Sequence, residues 1–578
     1  MTKKKHPIVD VRLEHLAYPN LATGVVLAPL PPDPVGELLE LPVDHASREA
    51  MAPMRMKGGL PGQVWRCRVK RSHKGVKEVD PLELLAPSAM ERRPKCPHAG
   101  VCGGCNYQTL SYEAELMLKS QQMRALYSNA GFSDDISLHR SPLIEGYRDK
   151  MEYAFGDLSP GGPLTLGLHR PRHFYDILPT TCCNIVPPDF NTLRKAVEHF
   201  CQQQQWPFYH RSKKTGYLRH LVLRASLTTD EIMVNLVTTS AHSWTVADTE
   251  AFLSCLRALP LSMRLVSVFH TTNDSPADVV QADALDLLAG RAYLEEKLFD
   301  LTFHVGPFSF FQPNVPGAKN LYAKALEFAG DISGKTVYDL YSGTGTLAQI
   351  AAAHAQRVIG VEIVEEAVEK AKEACVRNHL ANVKCIAADV LAELTRLADI
   401  GERPDVVFLD PPRQGIHPKA IQHLLAAQPE RIVYISCNPT TQVHDLALFR
   451  DGGYRIEKIT AFDQFPRTKH VETVALLSHQ KIEKEILIAY EPRENEIIPY
   501  KDATYEEIKS WIMKEYGFKV SNLYIGQAKE KFGLEKRGNY NVSKKEKQVI
   551  PQCPEEKMEA IKTAFAHFKM LDLWKKEN

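Results

Sequence analysis

KTVYDLYSGTGTLAQIAAAHA, residues 335–355, opens as a short apolar strand, turns at two glycines and closes as a run of small residues with helical spacing. Strand, glycine turn and helix in that order form the opening unit of a doubly wound α/β sheet. Gly343 and Gly345 let the backbone turn tightly and approach a ligand. The loop is not a Walker loop, because no Gly-Lys-Ser/Thr follows, and it is not G-x-G-x-x-G. The rhythm continues downstream. RVIGVEIV leads into EEAVEKAKEACVRNHL, and VKCIAAD, PDVVFLDPP, RIVYISCNP and TVALLSH read as further strands. Residues 306–480 are therefore expected to form a doubly wound, Rossmann-like parallel sheet.

Acidic residues recur at the strand ends: Asp339, Glu362 and Asp389. A carboxylate at the Glu362 position can accept both hydroxyls of a ribose. With a glycine turn that is no phosphate loop, the set suits a cofactor carrying a nucleoside without a phosphate, and S-adenosylmethionine is that cofactor. In FLDPPRQG, Asp410 ends a strand and two prolines hold the following turn rigid. Asp410 could simply cap the next helix, but its register after the cofactor loop favours a substrate-facing role. Arg413 follows the prolines, where methylases of exocyclic amines often carry an aromatic residue, and the turn has no cysteine of the kind RNA cytosine methylases use.

Cys437 stands where the strand RIVYIS breaks at Asn438-Pro439. A cysteine within a strand is commonly a core filler. At the carboxyl end of a strand in such a sheet it stands where ligands bind. Carbon 5 of uracil is a poor nucleophile until a thiolate adds at carbon 6, and a base must afterwards remove the carbon-5 proton so that the thiol can leave. That chemistry needs one cysteine and one general base. FPRTKHVETVALL offers Glu472, which begins a strand beside His470. Alone, Cys437 reads equally as a core thiol and Glu472 as a surface carboxylate; together, at strand ends on one side of one sheet, they favour chemistry.

Outward from this region the 578-residue chain divides into parts. Residues 1–90 show short β-like segments broken by glycine and proline, among them GVVLAPLPP. In VWRCRVKRSHK, Val64, Arg66, Arg68 and Lys70 alternate with neutral residues, giving one basic strand face. That face is either solvated or the wall of a small barrel holding a nucleic-acid backbone. Residues 91–305 hold a cysteine cluster, a helix at 111–131 with Ser111 and Glu115 at its start and Gly131 at its stop, and then mostly antiparallel strand patterns. Residues 481–578 read as a helical extension, with Thr504 and Glu507 as a capping box before YEEIKSWIMKEYG and further helices at VSNLYIGQAKEKFG and PEEKMEAIKTAFAHF.

Lysine and arginine (71) nearly balance aspartate and glutamate (70), so whole-chain charge names no partner. The basic start lacks the apolar stretch of a signal peptide, and no run is long enough to span a bilayer, so a soluble cytoplasmic protein is expected. Twelve cysteines in such a chain are not expected to form disulfides. Cys96, Cys102 and Cys105 fall in CPHAGVCGGC, a C-x5-C-x2-C spacing. That spacing suits zinc or, with a distant fourth cysteine, a four-iron cluster, and residue types alone do not choose between them.

SFFQPN, DLYSGTGT, LDPPR, SCNP and HVETV, in that order, resemble the RNA 5-methyluridine methyltransferase family, in particular members that act on 23S ribosomal RNA and carry an iron–sulfur cluster. The resemblance spans roughly residues 10–480. It implies that Cys437 is the nucleophile and Glu472 the base, and that Gln312, Tyr341, Glu362, Asp389 and Asp410 surround the cofactor and the target uracil. It implies a [4Fe-4S] cluster on Cys96, Cys102, Cys105 and a cysteine of DILPTTCCNIV. Cys183 fits the family register better than Cys182, although the doubled cysteine departs from it. It further implies an oligonucleotide-binding barrel of the TRAM type at the N-terminus, a helix 111–131 packed on the methylase domain, and a monomeric enzyme whose partner is 23S rRNA. Two alternatives stand beside this reading. One is a tRNA methylase, although bacterial tRNA enzymes of the family generally lack both barrel and cluster. The other is a non-catalytic RNA-binding or assembly protein, against which the intact Cys437 and Glu472 speak. The tail at 481–578 lies outside the family motifs, and a packing appendage or an RNA-docking element would both fit it.

Overall fold

In the computed structural model, described over residues 7–27, 53–73, 75–171, 173–277, 280–479, 503–532, 534, 551–568 and 570, alternation along Ile8–Ala17 (β1) turns Val11 and Leu13 inward. Leu21–Val26 (β2), Met54–Lys57 (β3), Val64–His73 (β4) and Val76–Ala86 (β5) close a barrel in the order β1-β2-β3-β5-β4. Its core is Val11, Leu13, Ala22, Met54, Met56, Cys67 and Val79. At Gly24 a Cβ would stand 2.1 Å from the Arg12 carbonyl oxygen, so the β1–β2 approach requires glycine. The part of GVVLAPLPP beyond residue 27 lies outside the described residues.

The expected basic face of β4 is corrected by its neighbours. Arg66 meets Asp10 at 3.1 Å and Glu83 at 3.3 Å, and Lys70 meets Asp80 at 2.8 Å. Alternation set the cations on one side, but the pairing register brings acids of β1 and β5 alongside them. Of the three, Arg68 has no acidic side chain within ion-pair distance among the described residues.

Ser111 caps Tyr112–Ser128 (α1), accepting from the Ala114 amide at 3.2 Å. The helix ends three residues short of Gly131. Glu115 lies in the first turn as expected, but it is also buried and paired with Lys119 at 2.7 Å. Lys119 also meets Asp463 at 2.6 Å, which ties α1 to the segment leading to Glu472.

Ser137–His139 (β6) precedes the central sheet. That sheet is built from Lys150–Gly156 (β7), Thr165–Arg170 (β8), His173–Leu178 (β9), Leu218–Ser226 (β10), Glu231–Thr238 (β11), Arg264–Thr272 (β12) and Ala284–Gly290 (β13). Pro188–Gln203 (α2) and Val246–Arg257 (α3) supply its helices. The expected antiparallel pattern holds except at β11–β12, which are parallel because α3 carries the chain across. Leu294–Leu298 (β14) and Leu301–Val305 (β15) form a separate hairpin.

Val315–Ala329 (α4) leads into the third sheet: Thr336–Leu340 (β16), Thr346–Ala352 (α5), Arg357–Glu362 (β17), Glu365–Arg377 (α6), Val383–Ala387 (β18), Val390–Asp399 (α7), Val406–Leu409 (β19), Pro418–Ala427 (α8), Arg431–Ser436 (β20), Pro439–Asp451 (α9), Tyr454–Phe462 (β21) and Glu472–His479 (β22). The strand order is β18-β17-β16-β19-β20-β22-β21-β6. Strands β16 to β20 are parallel, and β16, β19 and β20 bury their apolar runs on both faces. The sheet departs from the wholly parallel expectation at one edge, where β22 runs antiparallel to both β20 and β21. Strand β21, which the sequence reading passed over, leads into β22 with no helix between them, so the chain must reverse there.

Residues Met1–Lys481 form one compact unit and Ile482–Asn578 a second. The second contains Tyr505–Tyr516 (α10), Asn522–Lys531 (α11) and Glu555–His567 (α12). They share a core of Ile508, Ile512, Ile525, Ile561 and Phe565. The Thr504–Glu507 capping box is present, and Gly517 at φ +74° ends α10. No helix among the described residues is long and apolar enough to cross a membrane.

Candidate active site

A cavity of about 1180 Å³ opens at the carboxyl ends of β16, β17, β19 and β20. The turn after β16 is sharp: Tyr341, Gly343 and Gly345 all lie at positive φ, at +65°, +53° and +71°. Glu362 fixes this turn from the end of β17. Its carboxylate accepts from the Gly343 amide at 2.9 Å, the Ile363 amide at 2.9 Å and the Val364 amide at 3.0 Å. Asp339 lies buried beneath, accepting from the Ala348 amide at 2.8 Å, and burial pushes its carboxyl well above the usual range. Gln312, Tyr341 and Glu362 all face the cavity. Asp389 does not line it. It is exposed and caps α7 through the Ala392 amide at 3.1 Å, although its charge still helps to hold the Tyr341 hydroxyl up, at about 12, behind the larger effect of burial.

Asp410, Cys437 and Glu472 line the same cavity with Arg413 and His470. The β20–β22 register ends on the pair Ser436–Thr473, so the next positions outward are Cys437 and Glu472. Burial pushes Glu472 up to about 8, with the Asp410 charge adding and the Arg413 guanidinium opposing. Burial alone raises Asp410 to about 7. Cys437 is raised to about 11 by burial, then by Glu472 and Asp410, while Arg413 opposes by its charge and a hydrogen bond to the sulfur. The resting site therefore holds a thiol beside a protonated or half-protonated carboxyl. Arg413 is the group that favours both charged forms.

The sequence reading missed Tyr18, in the turn between β1 and β2. It packs against the methylase-sheet core, and its hydroxyl is raised by burial and by the charges of Glu472 and Cys437. An aromatic residue in a Tyr-Pro-Asn turn was the only available signal.

Cys96, Cys102, Cys105, Cys182 and Cys183 line the same cavity. Burial raises the thiols of Cys96 and Cys102, and takes Cys105 to about 12 and Cys183 to about 11, with neighbouring thiolates adding to all but Cys102. Gln108 bridges the two segments, donating to Asn184 Oδ1 at 2.8 Å and to Cys105 Sγ at 3.5 Å. Cys182 is exposed. Among the described residues no three Cys, His, Asp or Glu side chains are grouped as ligands of one metal ion.

A glycine turn at the first strand, a carboxylate at the end of the second and a proline-held acid at the fourth define an α/β methyltransferase domain. Residues 286–480 match the family model for tRNA (uracil-5-)-methyltransferases. An uncharacterised RNA methyltransferase of Caldanaerobacter subterraneus subsp. tengcongensis is 43% identical over 427 residues, covering 74% of this chain and 93% of the relative. One of Clostridium acetobutylicum is 42% identical over 430 residues, with the same coverage. Among solved structures, Pyrococcus abyssi tRNA (uracil-54, C5)-methyltransferase in complex with S-adenosyl-L-homocysteine shares the fold at a TM-score of 0.60 and 24% identity, covering 81% of this chain and 100% of that one. The chain belongs to the S-adenosylmethionine-dependent RNA uracil-5-methyltransferase family.

Proposed function

We propose that this protein methylates carbon 5 of a specific uridine in 23S rRNA through a covalent cysteine–uracil adduct. The observation that carries the mechanism is the facing of Cys437 and Glu472 across one cavity wall, with Asp410 and Arg413 beside both. Cys437 gives its proton up to solvent water and its sulfur adds to carbon 6 of the extruded base, shifting the ring electrons into an enolate whose carbon 5 is nucleophilic. S-adenosylmethionine supplies an electrophilic methyl group, which carbon 5 takes. Glu472, as carboxylate, then removes the carbon-5 proton, and the carbon–sulfur bond breaks to restore the ring and the thiolate. Arg413 stabilises the thiolate, and Asp410 sets the charge balance of the pair. Glu362, Gln312 and Tyr341 hold the cofactor, with Asp389 acting on Tyr341 from outside the cavity.

Support for ribosomal over transfer RNA is the joint presence of an N-terminal barrel, read as TRAM, and the cavity-lining cysteines of the 96–105 and 182–183 segments. Cys96, Cys102, Cys105 and Cys183 would hold a [4Fe-4S] cluster, the half-buried Cys183 serving in preference to the exposed Cys182. A cluster in which each cysteine binds a different iron asks for wider sulfur spacing than a single zinc ion, and among the described residues no three of these side chains are grouped as ligands of one ion. Methyl transfer moves no electrons, so its role is structural. The proposed division is a barrel at 1–90, a cluster and central domain at 91–305, a methylase domain at 306–480 and an extension beyond. The test is to map 5-methyluridine in 23S rRNA from cells with and without the protein. Loss of one such site on deletion is expected; unchanged 23S rRNA with a lost site in tRNA overturns the substrate.

A further inference from the structure

Arg148 is the half-buried cation of the cavity that the mechanism leaves unused. It lines the cavity that also holds the cysteine cluster and Cys437 and Glu472. Its segment is held from three sides. The Tyr147 hydroxyl donates to the Pro466 carbonyl at 2.8 Å, the Arg148 amide to the Ile185 carbonyl at 2.8 Å and the Asp149 amide to the Pro313 carbonyl at 3.1 Å. The first bond sets Arg148 against the segment that carries Lys469 and His470. Among the described residues, neither Arg148 nor Lys469 has a carboxylate within ion-pair distance, whereas Lys370, on the cofactor side of the cavity, meets Glu373 at 3.4 Å. Both charges bear on His470, which burial and the surrounding cations hold at about 4, so its ring stays neutral. A guanidinium partly withdrawn from water without a counter-ion is unfavourable in the free protein. A fixed, planar, unpaired guanidinium suits a phosphate.

We propose that Arg148, on the cavity wall, and Lys469, the chain neighbour of His470 just outside the lining residues, form a subsite for an RNA phosphodiester next to the extruded uridine. This rests on the RNA-methylation reading above. A base turned out of its stack must bring its backbone to the cavity mouth, so one phosphate approaches the catalytic wall. The charge-balanced outer face of β4 gives the barrel no comparable site at Arg66 or Lys70.

The experiment measures binding of the full chain to a single-stranded RNA spanning its methylated uridine, across a range of salt. Arg148→Gln and Lys469→Gln should each lower the slope of log affinity against log salt by about 0.7, the increment for one phosphate on a single strand. Affinity should fall roughly tenfold, as for one charge-assisted bond. Arg148→Lys should keep most of the slope, and S-adenosylmethionine affinity should stay unchanged in all three. Replacing the phosphate beside the target uridine by a neutral methylphosphonate should weaken wild type but not Arg148→Gln. Unchanged slopes overturn the subsite. So does loss of S-adenosylmethionine binding in Arg148→Gln with an unaltered slope in Lys469→Gln, which would assign the guanidinium to the cofactor or to the fold. Formation of 5-methyluridine by wild type is scored separately, so methylation with unchanged slopes rejects the subsite alone.

Discussion

Cys437 and Glu472 occupy facing positions just past the last register pair, Ser436–Thr473, of two antiparallel strands. Reversal of β22 is what makes this possible. The carboxyl end of β20 carries the thiol, and the start of β22 returns the carboxyl to the same edge of the sheet. A further parallel strand would have begun at the opposite edge.

Glu472→Gln keeps the shape of the wall but removes the base. The thiol should still add and the methyl group still transfer, so protein–RNA adduct should accumulate as a slow band on a denaturing gel while product release falls by at least about 100-fold, the lower range for general-base loss. Normal turnover with no adduct would assign the base elsewhere.

The rate should rise with pH through about 8, where Glu472 of the free protein loses its proton. Asp410→Asn removes a negative neighbour, so the rising limb should move to lower pH. Arg413→Met removes a positive one, so the limb should move to higher pH. Both carboxyls titrate above their ordinary range in the fold. The stability linked to their protonated forms is therefore full below the usual carboxylate range and lost as pH rises through about 7 to 8. Denaturant midpoints of the ligand-free protein should fall over that window, and Glu472→Gln should flatten the fall. Profiles that coincide for all variants would contradict this electrostatic account.

Glu362→Ala removes the acceptor of three amide hydrogen bonds that hold the Gly343 turn. Hydrogen bonds to a charged group are worth about 1.5–3 kcal/mol each in proteins, so S-adenosylmethionine affinity should drop by at least roughly tenfold in calorimetry. RNA binding should be preserved. An unchanged cofactor affinity would remove Glu362 from the site.

Lys119 is buried between Glu115 and Asp463. Lys119→Met leaves the buried Asp463 carboxyl without its cation and Glu115 with only Arg467 at 3.5 Å, a loss of about 3–5 kcal/mol for a broken buried pair. The urea midpoint of the transition that abolishes S-adenosylmethionine binding should shift accordingly. A shift no larger than that of a surface variant would show that the triad does not anchor α1.

The alternating strands and helices from Thr336 to Ser436, the glycine turn and the positions of Cys437 and Glu472 follow from patterns local in sequence. Periodicity and strand-end placement carry that information. Pairing partners are non-local. Nothing in VWRCRVKRSHK announces that Asp10, Glu83 and Asp80 neutralise its cations, and nothing near Glu115 shows that its charge meets Lys119 and Asp463 in the interior. Arg148 reaches the catalytic cavity, and Tyr18 the neighbourhood of Cys437 and Glu472, from other parts of the chain, so only the assembled fold brings them there. Asp389 shows the converse: a strand-end acid whose side chain turns to cap its own helix.

The covalent step is tested most directly with RNA in which the target uridine is replaced by 5-fluorouridine. Fluorine at carbon 5 cannot be removed as a proton by Glu472, so an adduct formed after methyl transfer has no route to break down. After incubation with S-adenosylmethionine and nuclease digestion, the account predicts that the Cys437 peptide carries one methylated fluoronucleotide, and that Cys437→Ala carries none. An adduct on another residue, or no adduct in a protein that methylates the unsubstituted RNA, would contradict it.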